Sequence, residues 1–452
     1  MDMTPETITV DYLIIGAGAT GMAFADALLS ESTGTMAVVD RNHAPGGHWT
    51  MSYPFVRLHG PSNVYGVHSR AMPSDSVGAS LASRNEVLDY YDRIMRDVLV
   101  ASGRVTYLPM HDVADVRAGR PATARARSLV TGATTQIVVR KRIVDASYVN
   151  VTVPAMMRPG YDVEDGAPVV PVNRLVELGG APERFTVVGA GKTGLDACLW
   201  LLNQGVTPDR IRWIAPRDAW LVNRSHEGAE SQFRELTRLH EHDSVDGATG
   251  ALEELGLVLR RDPAVTPGAF RCATVSSTEL DQLRQIEDVV RLGRVRRIDS
   301  AGAHLEGGTI PTPHGTVYVD CSADGLTQKQ PRPVFDEGTI TLQPLLPCLV
   351  APSAAVIAKL ESLDLDDATR NHLAPPAQNP RTARDLLSFY GTRMERLHRW
   401  SSSPALFEWL VGSRLSAALF DLHEMADPDN RATVAALAGH LDDVLKRDDD
   451  PA

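Results

Sequence analysis

Cysteine is scarce in this 452-residue chain. Cys198, Cys272, Cys321 and Cys348 are the only four, and no two form a C-x-x-C pair or a zinc-finger spacing. The spacing offers no dithiol relay between near neighbours, and at this length a disulfide scaffold is not expected. Positive charge is also in deficit: 45 basic side chains face 57 acidic ones, for a formal net charge of -12. Coating a nucleic acid requires a basic face that releases counterions, so that class of partner is excluded. A local cationic pocket for a phosphate group is not. No apolar run reaches the length of a membrane span. The opening MDMTPETITVDYLIIG has no basic segment ahead of its first strand-like run, so it does not read as a secretory leader. His111, His226, His240 and His242 are scattered among polar neighbours and suggest no metal site. The absences predict a cytoplasmic protein with neither nucleic-acid nor membrane partners, long enough for two or three domains.

What is present is a pair of glycine turns in matching surroundings. A β-branched and aromatic run over residues 10–15 ends in GAGATG, Gly16 to Gly21, followed by an Ala/Leu-rich helical segment and a second apolar run closing on Asp40. Strand, glycine turn, helix, strand is the context that makes G-x-G-x-x-G informative. Gly16 permits the tight turn, Gly18 lets a pyrophosphate approach the backbone, and Gly21 lets the helix pack on the sheet. Free N–H groups at the N-terminus of that helix would face the phosphates. Asp40 stands at the distance past the last glycine expected of a carboxylate that binds ribose hydroxyls.

The order returns later, with a strand at 186–188, GAGKTG from Gly189 through Gly191, Lys192 and Thr193 to Gly194, a helix, and a strand at 211–214. Here no acid closes the second strand. Ala215-Pro216-Arg217 does, and a guanidinium pairs with a 2′-phosphate that a carboxylate would repel. That favours NADPH over NADH, with Asp218 next door as the opposing feature and Arg224 as a second cationic candidate. Lys192 would reach a phosphate or be solvated. A triphosphate P-loop fails because Thr186 occupies its first glycine position.

Two such units in one chain resemble the two-dinucleotide-binding-domain flavoproteins, whose first site holds FAD and whose second holds NAD(P)H. Gly46-Gly47-His48-Trp49 is similar to the GG-x-W segment of class B flavoprotein monooxygenases, and Arg57-Leu58-His59-Gly60-Pro61 falls at the spacing of their Leu-Asn-x-Pro segment. The resemblance implies an α/β fold of two Rossmann-like domains with antiparallel insertions and a helical C-terminal section. It implies FAD contacts from Gly16, Gly18, Ala19, Gly21, Asp40, Arg41, Gly47, His48, Trp49, Ala146, Asp324 and Gln343. NADPH contacts are implied from Gly189, Gly191, Lys192, Thr193, Gly194, Arg217 and Arg224. His59 takes the catalytic position beside flavin and nicotinamide, where an unperturbed imidazole would also shuttle a proton. The implied activity is an NADPH- and O2-dependent monooxygenation of a small intermediate of secondary metabolism, through a C4a-(hydro)peroxyflavin; a homodimer is left open.

The departures are specific. The F-x-G-x-x-x-H-x-x-x-W fingerprint should precede the second turn, yet residues 157–176 contain no histidine, phenylalanine or tryptophan. The A-T-G linker motif survives only as Ala146-Ser147-Tyr148, with Ser322-Ala323-Asp324-Gly325 as its later partner. An FAD-dependent oxidase or dehydrogenase without oxygen transfer is therefore the alternative. The expected organisation is an FAD-binding part over 1–170, an NAD(P)H-binding part over 171–318 with a helical insertion at 226–290, and a return to the FAD domain with helices over 319–452. The acidic tail at Asp448, Asp449 and Asp450 is expected to be disordered.

Overall fold

The computed structural model describes residues 6–72, 81–117, 119–226, 236–325, 328–418, 422 and 424–449. Strand β1 (Glu6–Ile15) leads through the first glycine turn into α1 (Ala19–Glu31), and β2 (Met36–Val39) returns parallel to β1. Every residue of α1 from Gly21 to Leu28 is buried, so this is a core helix with no solvent face along that stretch. Helix α2 (Arg84–Arg93) opens on a capping box between Ser83 and Glu86. Strand β3 (Val105–Leu108) then extends the parallel sheet, and β4 (His111–Arg117), β5 (Ala122–Ser128) and β6 (Thr134–Asp145) form the expected antiparallel layer. β6 pairs antiparallel with β5 and parallel with β1, ending alongside the first glycine turn.

The second unit starts with β7 (Asp162–Val163) and β8 (Val169–Pro171), then repeats the motif as β9 (Arg184–Val188), α3 (Lys192–Asn203) and β10 (Ile211–Ile214). Next come β11 (Ala219–Asn223), α4 (Val245–Glu254), β12 (Val258–Leu259), β13 (Ala269–Val275), α5 (Ser277–Arg284) and β14 (Val289–Val290). The meander β15 (Val295–Ile298), β16 (Gly302–Leu305) and β17 (Gly308–Pro311) precedes β18 (Thr316–Asp320). β14-β10-β9-β18-β8 form a parallel five-stranded sheet. The boundaries expected after residues 170 and 318 thus fall inside β8 and β18, and the second sheet runs from Val169 to Asp320. The insertion expected to be helical is corrected too. Its residues 227–235 lie outside the described residues, and the remainder holds β12, β13 and β14 beside two helices. Its polar composition hid strands whose burial comes from a neighbouring unit.

The chain returns through β19 (Phe335–Asp336) and β20 (Thr339–Thr341), which pairs parallel with the end of β6 and completes an eight-stranded first sheet. Helix α6 (Val350–Ser362) lies against α1, followed by α7 (Asp367–Leu373), α8 (Asp385–Ser401), α9 (Pro404–Gly412) and α10 (Pro428–Asp449). Asp448 and Asp449 belong to α10, with Asp448 3.4 Å from Arg384, so the disorder expected of the tail does not extend to them; Asp450 lies outside the described residues. No helix among the described residues is long and apolar enough to cross a membrane.

The sheet β12-β11-β13 joins the two halves. Phe270 and Cys272 of β13 belong to the core around α1 and the C-terminal helices, whereas Ala273 and Val275 belong to the core around α3. A register shift separates the pairs Trp220–Phe270 and Val222–Thr274. Such a bulge re-aims the residues within it.

Candidate active site between two glycine turns

The two turns share one geometry. Gly16 and Gly189 leave their strands at φ +110° and +119°, a region L-residues avoid. A Cβ on Gly21 would lie 2.0 Å from the Gly16 oxygen, and one on Gly194 2.1 Å from the Gly189 oxygen, so each helix begins in backbone contact with its strand. Gly18 and Gly191 are different. A Cβ on Gly18 would meet only Gly47, its nearest atom at 3.5 Å, and one on Gly191 would meet nothing within 4 Å. Among the described residues nothing fills the space at these positions, and the first N–H groups of α1 and α3 are there to face an anion.

Each turn rests on an equivalent floor. Ala146 donates its N–H to the Ile15 carbonyl at 3.0 Å and lies beneath Gly16; Cys321 donates to the Val188 carbonyl at 2.9 Å and lies beneath Gly189. Asp145 Oδ1 accepts the Ser147 N–H and hydroxyl at 2.9 and 2.7 Å, and Asp320 Oδ1 accepts those of Ser322 at 3.1 and 2.6 Å. The counterpart of Ala146 is therefore Cys321, one residue ahead of the segment paired with it from sequence. Asp324, expected to touch cofactor, is engaged by Arg271 at 3.2 Å and Arg381 at 2.7 Å.

The turns differ in the charge beside them. Asp40 is buried at the end of β2, its Oδ2 accepting the Ala17 N–H at 2.5 Å and its Oδ1 the Asn42 N–H at 2.7 Å. A carboxylate held against the first turn suits a ribose diol. Arg41 beside it is exposed and 3.7 Å from Asp112. At the second turn, Arg217 is exposed and takes no ion pair or hydrogen bond among the described residues. Asp218 points the other way, into a buried pairing with Arg261 at 2.9 Å and Arg291 at 2.6 Å. Burial alone would raise its pKa, but the two guanidiniums hold it below the usual carboxylate range. Its negative charge is thereby neutralised, which removes the objection to a 2′-phosphate at Arg217.

The loop after β2 bridges the turns. Gly46 donates to the Ala17 carbonyl at 2.9 Å, and Gly47 sits at φ +57° against Gly18. Trp49 packs against both cores, as a loop-packing residue should, while Arg84 donates to the Trp49 and Thr50 carbonyls at 3.1 and 2.8 Å. The Tyr53 hydroxyl donates to Asp196 at 2.6 Å, with Thr193 beside it, and Asp196 pairs with Lys192. Lys192 is thus paired with Asp196 and not solvated, because α3 places Asp196 one turn along. Arg224 is likewise committed. Its Nε donates to the His59 carbonyl at 2.7 Å and its Nη1 pairs with Glu279 at 2.8 Å, so it holds the His59 segment rather than standing beside Arg217. Gln343 spends its amide on the Arg332 backbone, accepting at 3.1 Å and donating at 2.9 Å. It lines a cleft with Tyr148, Lys329, Pro344 and Asn379.

His59 lies where both units meet. Its ring faces the Cys272 carbonyl, with His48, Lys192 and Arg224 around it. Burial first, then the two cations, lowers its pKa to about 3; burial lowers that of His48 to about 4. The proton shuttle near neutrality expected of His59 is corrected accordingly: the imidazole stays uncharged and acts through hydrogen bonds. We therefore expect no activity limb from His59 between pH 5 and 8. Stability carries the opposite signature. The unfolded chain takes up protons near pH 6.5 that the folded histidines refuse, so stability is full above that pH and falls as pH drops toward 4. Each histidine contributes a slope of up to about 1.4 kcal/mol per pH unit. Urea titrations across that window, with His59→Asn losing part of the slope, test it.

Sequence reading missed Tyr53, Asp196, Cys321 and, above all, a disulfide. Cys272 and Cys348 are bonded with their Cα atoms 6.7 Å apart across a separation of 76 residues. Asp196 stands at helical i,i+4 spacing from Lys192, whereas no local spacing signals the Tyr53 contact or the disulfide.

No protein-family model matches the chain. The "Uncharacterized protein Rv2000" of Mycobacterium tuberculosis (strain ATCC 25618 / H37Rv) is 42% identical over 428 residues, covering 91% of this chain and 78% of that protein. Among solved structures, the open crystal structure of cyclohexanone monooxygenase matches with a TM-score of 0.52 at 13% identity, over 97% of this chain and 98% of that one. Its closed crystal structure gives 0.51 at 14%, over 98% and 99%. At these identities the likeness is one of fold.

Proposed function

The chain belongs to the family of the mycobacterial protein Rv2000 and has the fold of class B flavoprotein monooxygenases, and from that premise we propose that it is an FAD-dependent oxidoreductase that uses NADPH and O2 to oxygenate a small metabolite. The observation carrying this reading is the pair of matching turns with opposite neighbours, a buried Asp40 at one and at the other an exposed Arg217 that takes no ion pair or hydrogen bond among the described residues. The first turn fits FAD. Its middle glycine leaves a Cβ-sized opening at the helix N-terminus, Asp40 presents the ribose acceptor, and Ala146 keeps the floor small enough for the backbone to close.

FAD supplies the electron transfer and the oxygen chemistry when bound. The chain's residues bind, orient and exclude. The Trp49 loop spans both cores and shields the gap between the turns from water. Arg224 fixes the His59 segment from the opposite unit, and the neutral His59 presents a hydrogen-bonding ring rather than a charge. Arg217 selects the nicotinamide cofactor. Arg217→Ala is expected to weaken NADPH binding about 10- to 100-fold, the loss of a charge-assisted pair worth about 1.5–3 kcal/mol. NADH binding should be unchanged, as read by anaerobic titration with each.

Stopped-flow mixing tests the whole proposal. The purified protein should be yellow, NADPH should bleach it under anaerobic conditions, and O2 should restore the colour with product formation when the right metabolite is present. Failure of NADPH to bleach bound flavin sinks the proposal. A second reading, electron transfer without oxygen insertion, is favoured by the empty fingerprint segment at residues 157–176. Label from isotopic O2 in product supports the first reading, and its quantitative release as hydrogen peroxide supports the second.

A further inference from the structure

The Cys272–Cys348 disulfide lies inside the site rather than at its periphery. Cys272 occupies the bulge of β13 at φ +54°, and Cys348 stands two residues ahead of α6 at φ +65°. Residues with a Cβ rarely adopt that conformation, and it persists where surrounding structure enforces it, often at working sites. Here both ends of one bond adopt it.

Their neighbours belong to the site already described. The Cys272 carbonyl faces the His59 ring. The Cys348 N–H donates to Asn379 at 3.1 Å, and Asn379 shares the wall of the cleft with Gln343. The bond therefore ties the strand carrying the His59 acceptor to the loop that leads into α6, so that it spans the two halves between which flavin and nicotinamide would meet. Cys272 is buried and Cys348 half-buried, which shields the sulfurs from bulk solvent without sealing them in. The other two cysteines contrast with this pair: Cys198 and Cys321 are free thiols buried in the second core, and burial pushes both thiol pKa values up.

We propose that Cys272–Cys348 is a two-electron redox centre of this site, reduced by a dihydronicotinamide by way of the bound flavin. In the balanced step the S–S bond breaks, each sulfur gains one electron and one proton, and two thiols form. The nicotinamide gives up a hydride and ends oxidised, and solvent supplies the second proton. Opening the bond releases β13 from the α6 loop, so the site has distinct oxidised and reduced forms. This inference rests on the flavin reading and adds an electron acceptor to it.

The test is an anaerobic reductive titration of the flavin-loaded protein with dithionite and, separately, with NADPH. Flavin absorbance is followed throughout, and thiol alkylation under denaturing conditions with mass spectrometry maps the cysteines at each point. The expected result is uptake of four electrons per flavin instead of two. Cys272 and Cys348 become alkylated only after reduction, while Cys198 and Cys321 are alkylated throughout. The Cys272→Ser/Cys348→Ser variant should take up two, and the wild-type titration decides the matter even if that variant does not fold. Bleaching complete at two electrons with Cys272 and Cys348 still bonded overturns this inference and leaves the flavin reading standing. A protein that binds no flavin overturns both.

Discussion

Gly18→Ala is expected to leave the fold intact and strip it of flavin, whereas Gly21→Ala is expected not to fold. The two positions lie three residues apart in one turn, yet a methyl group meets opposite conditions at each. At Gly18, φ is -78°, which alanine adopts freely, and the new Cβ would stand 3.5 Å from its nearest protein atom, an ordinary contact. The apo protein should keep its Tm or gain slightly, since alanine lowers the entropy of the unfolded chain by an amount worth about 0.4–1 kcal/mol. The same methyl occupies the space through which a pyrophosphate reaches the backbone, so FAD affinity should fall at least about 100-fold. At Gly21 the Cβ would stand 2.0 Å from the Gly16 carbonyl oxygen. That oxygen is backbone, so relief requires moving all of α1 off β1, and α1 is buried along eight consecutive residues. A cost above about 4 kcal/mol is expected, in the exceptional class for a single substitution. Differential scanning fluorimetry and the flavin-to-protein absorbance ratio measure both effects. A Gly18→Ala protein purified with stoichiometric FAD would show that the opening is not the pyrophosphate cradle.

Arg224→Ala should carry the next largest effect. This guanidinium reaches the His59 carbonyl at 2.7 Å, Glu279 at 2.8 Å and the Thr274 carbonyl at 3.3 Å, with only 12% of its side chain exposed. Truncation leaves Glu279 partly buried without its cation, a loss of about 3 kcal/mol for pairs of this kind. It also frees the His59 segment from the second unit. A misplacement of an ångström at a reacting centre costs on the order of 100-fold, so kcat/KM is expected to fall by that much or more while FAD stays bound to the other turn. Arg224→Lys keeps the charge but cannot serve three acceptors in fixed directions, and should recover only part of either loss. Urea denaturation gives the stability term and steady-state NADPH oxidation the kinetic one. A stable, fully active Arg224→Ala protein would mean that other contacts hold His59.

The contrast between Lys192 and Arg217 shows how far the sequence could be read. Both were legible as cations near a phosphate, one inside the second glycine turn and one just beyond its strand. Lys192 is paired with Asp196, one helical turn along, while Arg217 takes no ion pair among the described residues and Asp218 is claimed by Arg261 and Arg291. The Asp196 pairing was within reach of helix periodicity; the Asp218 pairing, spanning 43 and 73 residues, was not. The register of the later linker motif failed by one residue for a similar reason. Asp145-Ala146-Ser147 and Asp320-Cys321-Ser322 share a turn built by aspartate and serine, and that turn shows only when both floors are placed under their glycines.

What the sequence determined by itself is therefore local: two strand–glycine–helix units, a carboxylate ending one and an arginine ending the other, and a histidine loop between them. Periodicity and turn chemistry act over a few residues, and these features need no distant partner. The tertiary structure alone decided which charges are spent, how far the His59 pKa falls, where β13 bends, and that two cysteines 76 residues apart are joined at the site. Those outcomes depend on burial and on pairs brought together from different units, such as Tyr53 with Asp196 across 143 residues and Arg224 with His59 across 165. Desolvation and through-space charge have no counterpart in linear spacing, which is why a chain whose cysteines looked inert carries a disulfide beside its candidate catalytic histidine.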